Sequence, residues 1–167
     1  NFICLKSLNN PPGKIEKIKN KKKLNIFVDY AHTPDALKNV LSSLKKVCEG
    51  KLITVIGCGG GRDKKKRPLM TKQALNYSNK VIITDDNPRN ESPKIIRKEM
   101  ISQISEKQQF KIKEISNRRK AIEYSISIMD LKDFLLIAGK GHENYQIIKN
   151  RKFYFSDKNA VLEFINK

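Results

Sequence analysis

What most constrains this chain is the alternation of two apolar rhythms. Short runs rich in β-branched residues, Leu24–Val28, Leu52–Ile56, Val81–Thr84 and Phe134–Ile137, with a weaker one at Phe110–Ile115, are separated by longer stretches with helical spacing. The runs are apolar throughout rather than alternating, as strands covered on both faces must be. The first intervening stretch places Leu37, Val40, Leu41, Leu44 and Val47 on one helical face, opens at Thr33-Pro34 and stops at Gly50. Thr33 has N-cap chemistry, proline fits the first helical position, and glycine suits a helix end. Further helices are expected from Pro68, from Pro93 to about Ile104, from an Asn117 cap to Met129, and from an Asp157 cap to about Ile165. Tyr145–Ile148 and Lys152–Phe155, joined at Lys149-Asn150-Arg151, read as a closing hairpin. Such alternation builds an α/β fold: a Rossmann-like, doubly wound, mostly parallel sheet, here finished by a C-terminal β-hairpin and helix.

Residues 1–23 read differently. Phe2, Ile3, Leu5 and Leu8 suggest the tail of a helix, Pro11-Pro12-Gly13 interrupts regular structure, and Lys14–Lys23 is mostly charge. Residues 1–23 are therefore expected to be the tail of a preceding domain and an interdomain linker acting as a hinge, and residues 24–167 a single domain.

The net charge of +18 suits a polyanion partner. The lysines are nevertheless spread along the whole chain, and aromatic residues make up only 7% of it, so no stretch resembles the basic, aromatic platforms that hold single strands. The charge is read as a solvated surface, and nucleic acid is not the expected partner. No apolar run is long enough to span a bilayer and no signal-peptide pattern is present, which points to the cytoplasm. Cys4, Cys48 and Cys58 have no paired spacing and are expected to be reduced thiols.

Polar clusters follow four strand ends: Asp29–Pro34, Gly57–Arg67, Asp85–Glu91 and Gly139–Glu143. In a parallel sheet these ends share one edge, where open α/β sheets bind ligands. Both histidines and six of the eight glycines fall in these loops. In Asp85-Asp86-Asn87-Pro88-Arg89, Pro88 restricts its own backbone and that of Asn87, so Arg89 is aimed. Its guanidinium either offers a fork to a ligand carboxylate or phosphate, or pairs with Asp85 or Asp86. The glycines of Gly57–Gly61 either form a flexible turn or bring bare amides close to an anion. The phosphate-loop pattern G-x-x-x-x-G-K-[ST], zinc-ligand spacing and a nucleophile elbow are all absent from the sequence. The residues thus describe a binding face for a charged ligand without a complete catalytic engine.

Taken in order, Asp-Tyr-Ala-His-Thr-Pro-Asp (29–35), Gly-Cys-Gly-Gly-Gly-Arg-Asp-Lys-Lys-Lys-Arg-Pro (57–68), Asp-Asp-Asn-Pro-Arg (85–89) and Ala-Gly-Lys-Gly-His-Glu (138–143) resemble the C-terminal domain of the Mur ligases. Within that family they resemble the branch that adds meso-diaminopimelate. The resemblance runs from about Pro12 to the end. It implies an ATP- and Mg2+-dependent amide synthesis in peptidoglycan precursor formation. A central domain carrying the phosphate loop, and expected to hold most Mg2+ ligands, activates the D-glutamyl carboxylate of UDP-N-acetylmuramoyl dipeptide as an acyl phosphate. The C-terminal domain holds the incoming amino acid and closes over the nucleotide. Central and N-terminal domains of the same ligase are then its partners, and this chain alone is expected to be inactive. By resemblance, Arg62, Asp86, Asn87, Arg89, Gly139 and Glu143 would hold diaminopimelate, and Lys14, Asp29 and His32 the nucleotide. Lys140 and His142 belong to the last motif without an assigned role. Family members usually carry Arg where Lys14 stands, and Asp or Asn is common where Gly61 stands and Gly where Thr71 stands. The rival readings are a non-catalytic polyanion- or nucleic-acid-binding module on the same fold, and a ligase resembling folylpolyglutamate synthetase.

Overall fold

The computed structural model describes residues 15–167. Five strands run parallel: β2 (Asn25–Asp29), β3 (Leu52–Ile56), β4 (Lys80–Ile83), β5 (Ile112–Glu114) and β6 (Phe134–Ala138). The short β1 (Glu16–Lys17) adds antiparallel to β2, giving the order β1-β2-β6-β3-β4-β5. An antiparallel hairpin of β7 (Tyr145–Ile148) and β8 (Arg151–Tyr154) stands apart as a second sheet. Six helices complete the described chain: α1 (Pro34–Val47), α2 (Lys66–Tyr77), α3 (Pro93–Ile101), α4 (Glu106–Gln109), α5 (Arg118–Ser127) and α6 (Asp157–Ile165).

The continuous apolar runs have the expected cause: the sheet is buried on both faces. Phe27, Ile56, Ile83 and Leu136 pack on one side with Leu37, Leu41 and Leu44 of α1, Met70 and Ala74 of α2 and Ile96 and Met100 of α3. The alternate residues Ile26, Val28, Val55, Ile82 and Ile137 meet Ala121 and Ile122 of α5 and Val161 and Ile165 of α6 on the other. The period-two exchange of faces along each strand therefore feeds two separate cores.

Local chemistry fixes the helix starts. The Thr33 hydroxyl accepts from Ala36 N, and Asn117 Oδ1 accepts from Lys120 N at 3.0 Å, as N-caps do. At the helix starts, two assignments differ from the sequence reading. α2 starts at Lys66, ahead of Pro68, because proline is tolerated anywhere in a first turn that lacks N–H partners. Ser156, not Asp157, caps α6, its hydroxyl accepting from Asn159 N at 3.3 Å. Asp157 is instead committed to Arg118: Nε and Nη2 each donate to its carboxylate at 2.8 Å, and Nη2 also reaches the Ala138 carbonyl at 3.1 Å. Burial works against the Arg118 charge, but the carboxylates of Asp157 and, behind it, Asp86 and Glu143 together more than offset it and raise the guanidinium's affinity for its proton. This ion pair ties α5 and α6 to the end of β6. Within the charged stretch before β2, Ile18 is buried in the second core and its N–H donates to Ile26 O at 2.9 Å.

Candidate functional site

Because β2, β3, β4 and β6 run the same way, their following loops meet at one sheet edge. The loop after β4 is the most heavily tied. Asp85 is turned away onto Arg97 of α3, which also holds Glu114 at 2.7 Å. Burial pushes the Asp85 carboxyl up, with Arg97 opposing it. Asp86 Oδ1 accepts from the Asn87 N–H at 2.6 Å. Asn87 then lies at the centre of a small network: Oδ1 accepts from Lys140 Nζ at 3.1 Å and from Ile147 N at 2.9 Å, while Nδ2 donates to Glu143 Oε2 at 3.1 Å. Lys140 Nζ also donates to Glu143 Oε2 at 3.1 Å, with its side chain fully buried.

Arg89 pairs with neither Asp85 nor Asp86. Its backbone sits in the left-handed region at φ 53° and is clamped to the hairpin: Arg89 N donates to Ile147 O at 3.0 Å and Lys149 N to Arg89 O at 2.7 Å. Its Nη1 donates to Gly60 O at 2.8 Å. The aim expected from Pro88 thus comes as much from β7 as from the proline.

The glycine-rich loop after β3 serves chiefly to let two loops touch. A Cβ on Gly60 would lie 1.9 Å from the Pro88 carbonyl oxygen, and one on Gly57 would lie 2.6 Å from Thr84 O. Gly60 N donates to Asn87 O at 2.9 Å and Gly61 N to Glu91 Oε1 at 2.6 Å. Those two amides are occupied within the protein, so the anion cradle read from the glycines is not formed by them. The Gly61 amide is the leading cause, with Arg67 behind it, of a Glu91 carboxyl held below the usual carboxylate range. Arg67, fully buried, braces the same loop through Glu91 at 3.0 Å, Glu99, and Gly59 O at 3.2 Å.

Two further loops close the site. Gly139 has φ 112°, and a Cβ there would come 3.0 Å from Asp86 Oδ2. After β2, both Asp29 oxygens are used inward, on Ile15 N and Ala31 N at 2.6 Å each. His32 is exposed, its ring 4.7 Å from that of Tyr30, which in turn lies 5.6 Å from His142. Lys66 Nζ donates to His32 O at 3.0 Å, joining the first two motifs.

Between these loops lies a cleft of about 370 Å³, within the range of small-ligand sites. Arg62, Asp86, Asn87, Arg89, Gly139, Glu143 and His32, all expected from sequence, line it together with Tyr30 and Lys66. Asp29 is not on its wall, and Lys14 lies outside the described residues. Among the described residues, neither Arg62 nor Arg89 is within ion-pair distance of a carboxylate. Two guanidiniums without a carboxylate in ion-pair range and three carboxylates, exposed Asp63, buried Asp86 and part-exposed Glu143, therefore face a common space. Sequence reasoning did not find Gln146, whose amide braces the Asp86 carbonyl at 2.5 Å, or the bonds of Lys140. Only the adjacency of Lys140 to Gly139 and Glu143 hinted at the latter. Among the described residues no group of three or more His, Cys, Asp or Glu is placed to hold a metal ion, and no helix is long and apolar enough to cross a membrane.

The model of the "Mur ligase, glutamate ligase domain" family matches residues 13–141. UDP-N-acetylmuramoyl-L-alanyl-D-glutamate--2,6-diaminopimelate ligase of Rickettsia montanensis is 54% identical over 151 residues, covering 89% of this chain and 30% of that protein. The ligase of the same name from Lawsonia intracellularis is 47% identical over 164 residues, covering 98% and 34%. The chain thus spans about a third of the length of the curated relatives it matches. A solved structure of a ligase of this name superposes with a TM-score of 0.86 at 43% identity, over 95% of this chain and 32% of that one. A Yersinia pestis folylpolyglutamate synthase/dihydrofolate synthase, complexed with AMPPNP and Mn ion, shares the fold at a TM-score of 0.60 and 15% identity, over 79% of this chain and 29% of that one.

Proposed function

The chain belongs to the Mur ligase family, and from that premise we propose that it is the amino-acid-binding domain of a cytoplasmic ligase that adds meso-diaminopimelate to UDP-N-acetylmuramoyl-L-alanyl-D-glutamate. The observation that carries this reading is the charge pattern of the cleft. Diaminopimelate is a double zwitterion, with a carboxylate and an amine at each end. Arg89 and Arg62 supply forks for carboxylates, and the Asn87 amide adds a donor beside Arg89. Glu143 Oε2 is occupied by Lys140 and Asn87, which leaves Oε1 for an ammonium. Lysine lacks the distal carboxylate and would leave one guanidinium unmatched, which is how such a site rejects it.

Supporting the nucleotide side are the Tyr30–His32 pair and Lys66 at one end of the same cleft. Asp29 acts there by shaping the loop that carries His32. ATP with Mg2+ supplies the phosphoryl group that activates the D-glutamyl carboxylate. What this domain does is hold the incoming amine in line and, on closing against the central domain, keep water from the activated carboxyl.

The test is steady-state kinetics of the full-length ligase with each substrate varied and lysine as the competing amine. Arg89→Ala leaves a ligand carboxylate unpaired in a partly dry site, a cost of about 2–5 kcal/mol. That corresponds to a loss of roughly two orders of magnitude or more in kcat/KM for diaminopimelate. The KM for ATP stays near the unmodified value, and Arg89→Lys recovers only part, since the fork is gone. An unmodified enzyme that prefers lysine, or an Arg89→Ala enzyme that adds diaminopimelate normally, contradicts the reading.

A further inference from the structure

We propose that Lys140 is the positioning residue that sets the donor–acceptor polarity of the amino-acid site, an inference that rests on the reading of the cleft given above. Lys140 is a lysine with a fully buried side chain, in an interior where an ammonium is tolerated only when paired. Its Nζ touches three groups: Asn87 Oδ1 at 3.1 Å, Glu143 Oε2 at 3.1 Å, and the ring of Tyr145, whose centroid lies 5.7 Å away. Two of the three belong to residues that line the cleft.

An ammonium is a donor with no acceptor capacity. Together with the Ile147 N–H, the other donor there, it fixes which end of the Asn87 amide faces inward. The carbonyl end must meet Lys140, where it also takes the Ile147 N–H at 2.9 Å. The amide nitrogen is then turned the other way, with one N–H on Glu143 Oε2 and the second left over. By the same contact Lys140 occupies Oε2 of Glu143 and compensates part of its charge. A cleft with Asn87 flipped would present an acceptor beside Arg89 and repel a carboxylate. With Lys140 in place, Asn87 presents a donor beside Arg89, and Glu143 turns its remaining oxygen to an ammonium. A carbon bearing both a carboxylate and an amine then fits one way round.

Lys140 touches no ligand in this scheme, so its effect must pass through Asn87 and Glu143. In the full-length ligase, Lys140→Met keeps an unbranched chain and removes the cation. The KM for diaminopimelate is expected to rise about 10- to 100-fold, the scale of a lost charge-assisted hydrogen bond. The KM values for ATP and for the muramoyl dipeptide should stay within about twofold, and kcat should fall less than kcat/KM. A double-mutant cycle with Glu143→Gln is the deciding measurement. If Lys140 works through Asn87 and Glu143, its loss costs less in the Glu143→Gln background than in the unmodified enzyme, so the double variant falls short of the product of the two single effects. Multiplying effects, an equal rise in all three KM values, or an unchanged diaminopimelate KM would each overturn the role. Lys140→Leu, which also removes both the donor and the charge, replaces the methionine variant if that one does not fold, with the same readings applied. An unmodified enzyme with normal ATP use that takes no diamino diacid overturns both this inference and the functional reading. One that takes diaminopimelate, with Lys140→Met unchanged, overturns this inference alone.

Discussion

Replacing Gly60 by alanine tests whether the glycine-rich loop exists to dock on the Asp85–Arg89 loop. The added Cβ would sit 1.9 Å from Pro88 O, so one loop must retreat by more than an ångström to reach ordinary contact distance. The retreat breaks Gly60 N to Asn87 O and strains Arg89 Nη1 to Gly60 O. The first is worth about 1 kcal/mol and the second, involving a charge, about 1.5–3 kcal/mol. Together they put the cost at about 2.5–4 kcal/mol, in line with overpacking of a tight interior. Gly61 is the internal control. It has φ 62°, but its Cβ would meet nothing nearer than Arg89 Cδ at 3.8 Å. Alanine there incurs only the left-handed backbone penalty of about 1–2 kcal/mol. Urea unfolding of the two variants, compared at equal slope, should rank Gly60→Ala below Gly61→Ala by about 0.5–3 kcal/mol. Equal midpoints, or the reverse order, would refute the docking argument and return the glycines to a role as flexible turn.

Asp157→Asn should cost about 3–5 kcal/mol by leaving the buried Arg118 charge uncompensated, and thermal unfolding should fall by roughly 6–20 °C; a midpoint within about 3 °C would show that the pair is dispensable. The Cys58 thiol, pushed up to about 12 by burial with Lys66 and Arg67 opposing, should resist alkylation near pH 8 until the chain is unfolded. Its folded pKa lies above the unfolded one, so it contributes stability that is complete below about pH 9 and lost as pH climbs towards 12. Cys58→Ala should therefore flatten the alkaline loss of stability relative to the unmodified chain, and parallel curves would contradict it.

The architecture was legible because burial on both faces writes itself into a strand as an unbroken apolar run, and because Thr33 and Asn117 announce helix starts by their own chemistry. Seven cleft residues were legible as loop residues at strand ends. What escaped was whatever depends on a distant partner. Asp157 looks like a cap, and nothing in its neighbourhood reveals Arg118, 39 positions away. Lys14–Lys23 reads as solvated charge, yet within it Glu16 and Lys17 pair with β2 and Ile18 is buried in the second core. The glycines of Gly57–Gly61 signal close approach without saying to what, and the object proved to be another loop of the same chain. Asp29 is placed by the nucleotide through resemblance alone, and nothing in its neighbourhood announces that both its oxygens accept from backbone amides.

The clamp between Arg89 and β7 bears on how this domain can change over time. Arg89 keeps its left-handed backbone only while Ile147 and Lys149, some sixty positions downstream, hold both its N–H and its carbonyl. Asn87 depends on the same hairpin through Ile147 N. The side chain that would choose the amino acid is thus co-owned by two segments that mutate separately. Transplanting residues 85–89 alone into a relative with a different preference would carry over the letters without the posture. The loop keeps this posture only beside a hairpin whose backbone meets Arg89 and Asn87 as β7 and Lys149 do here.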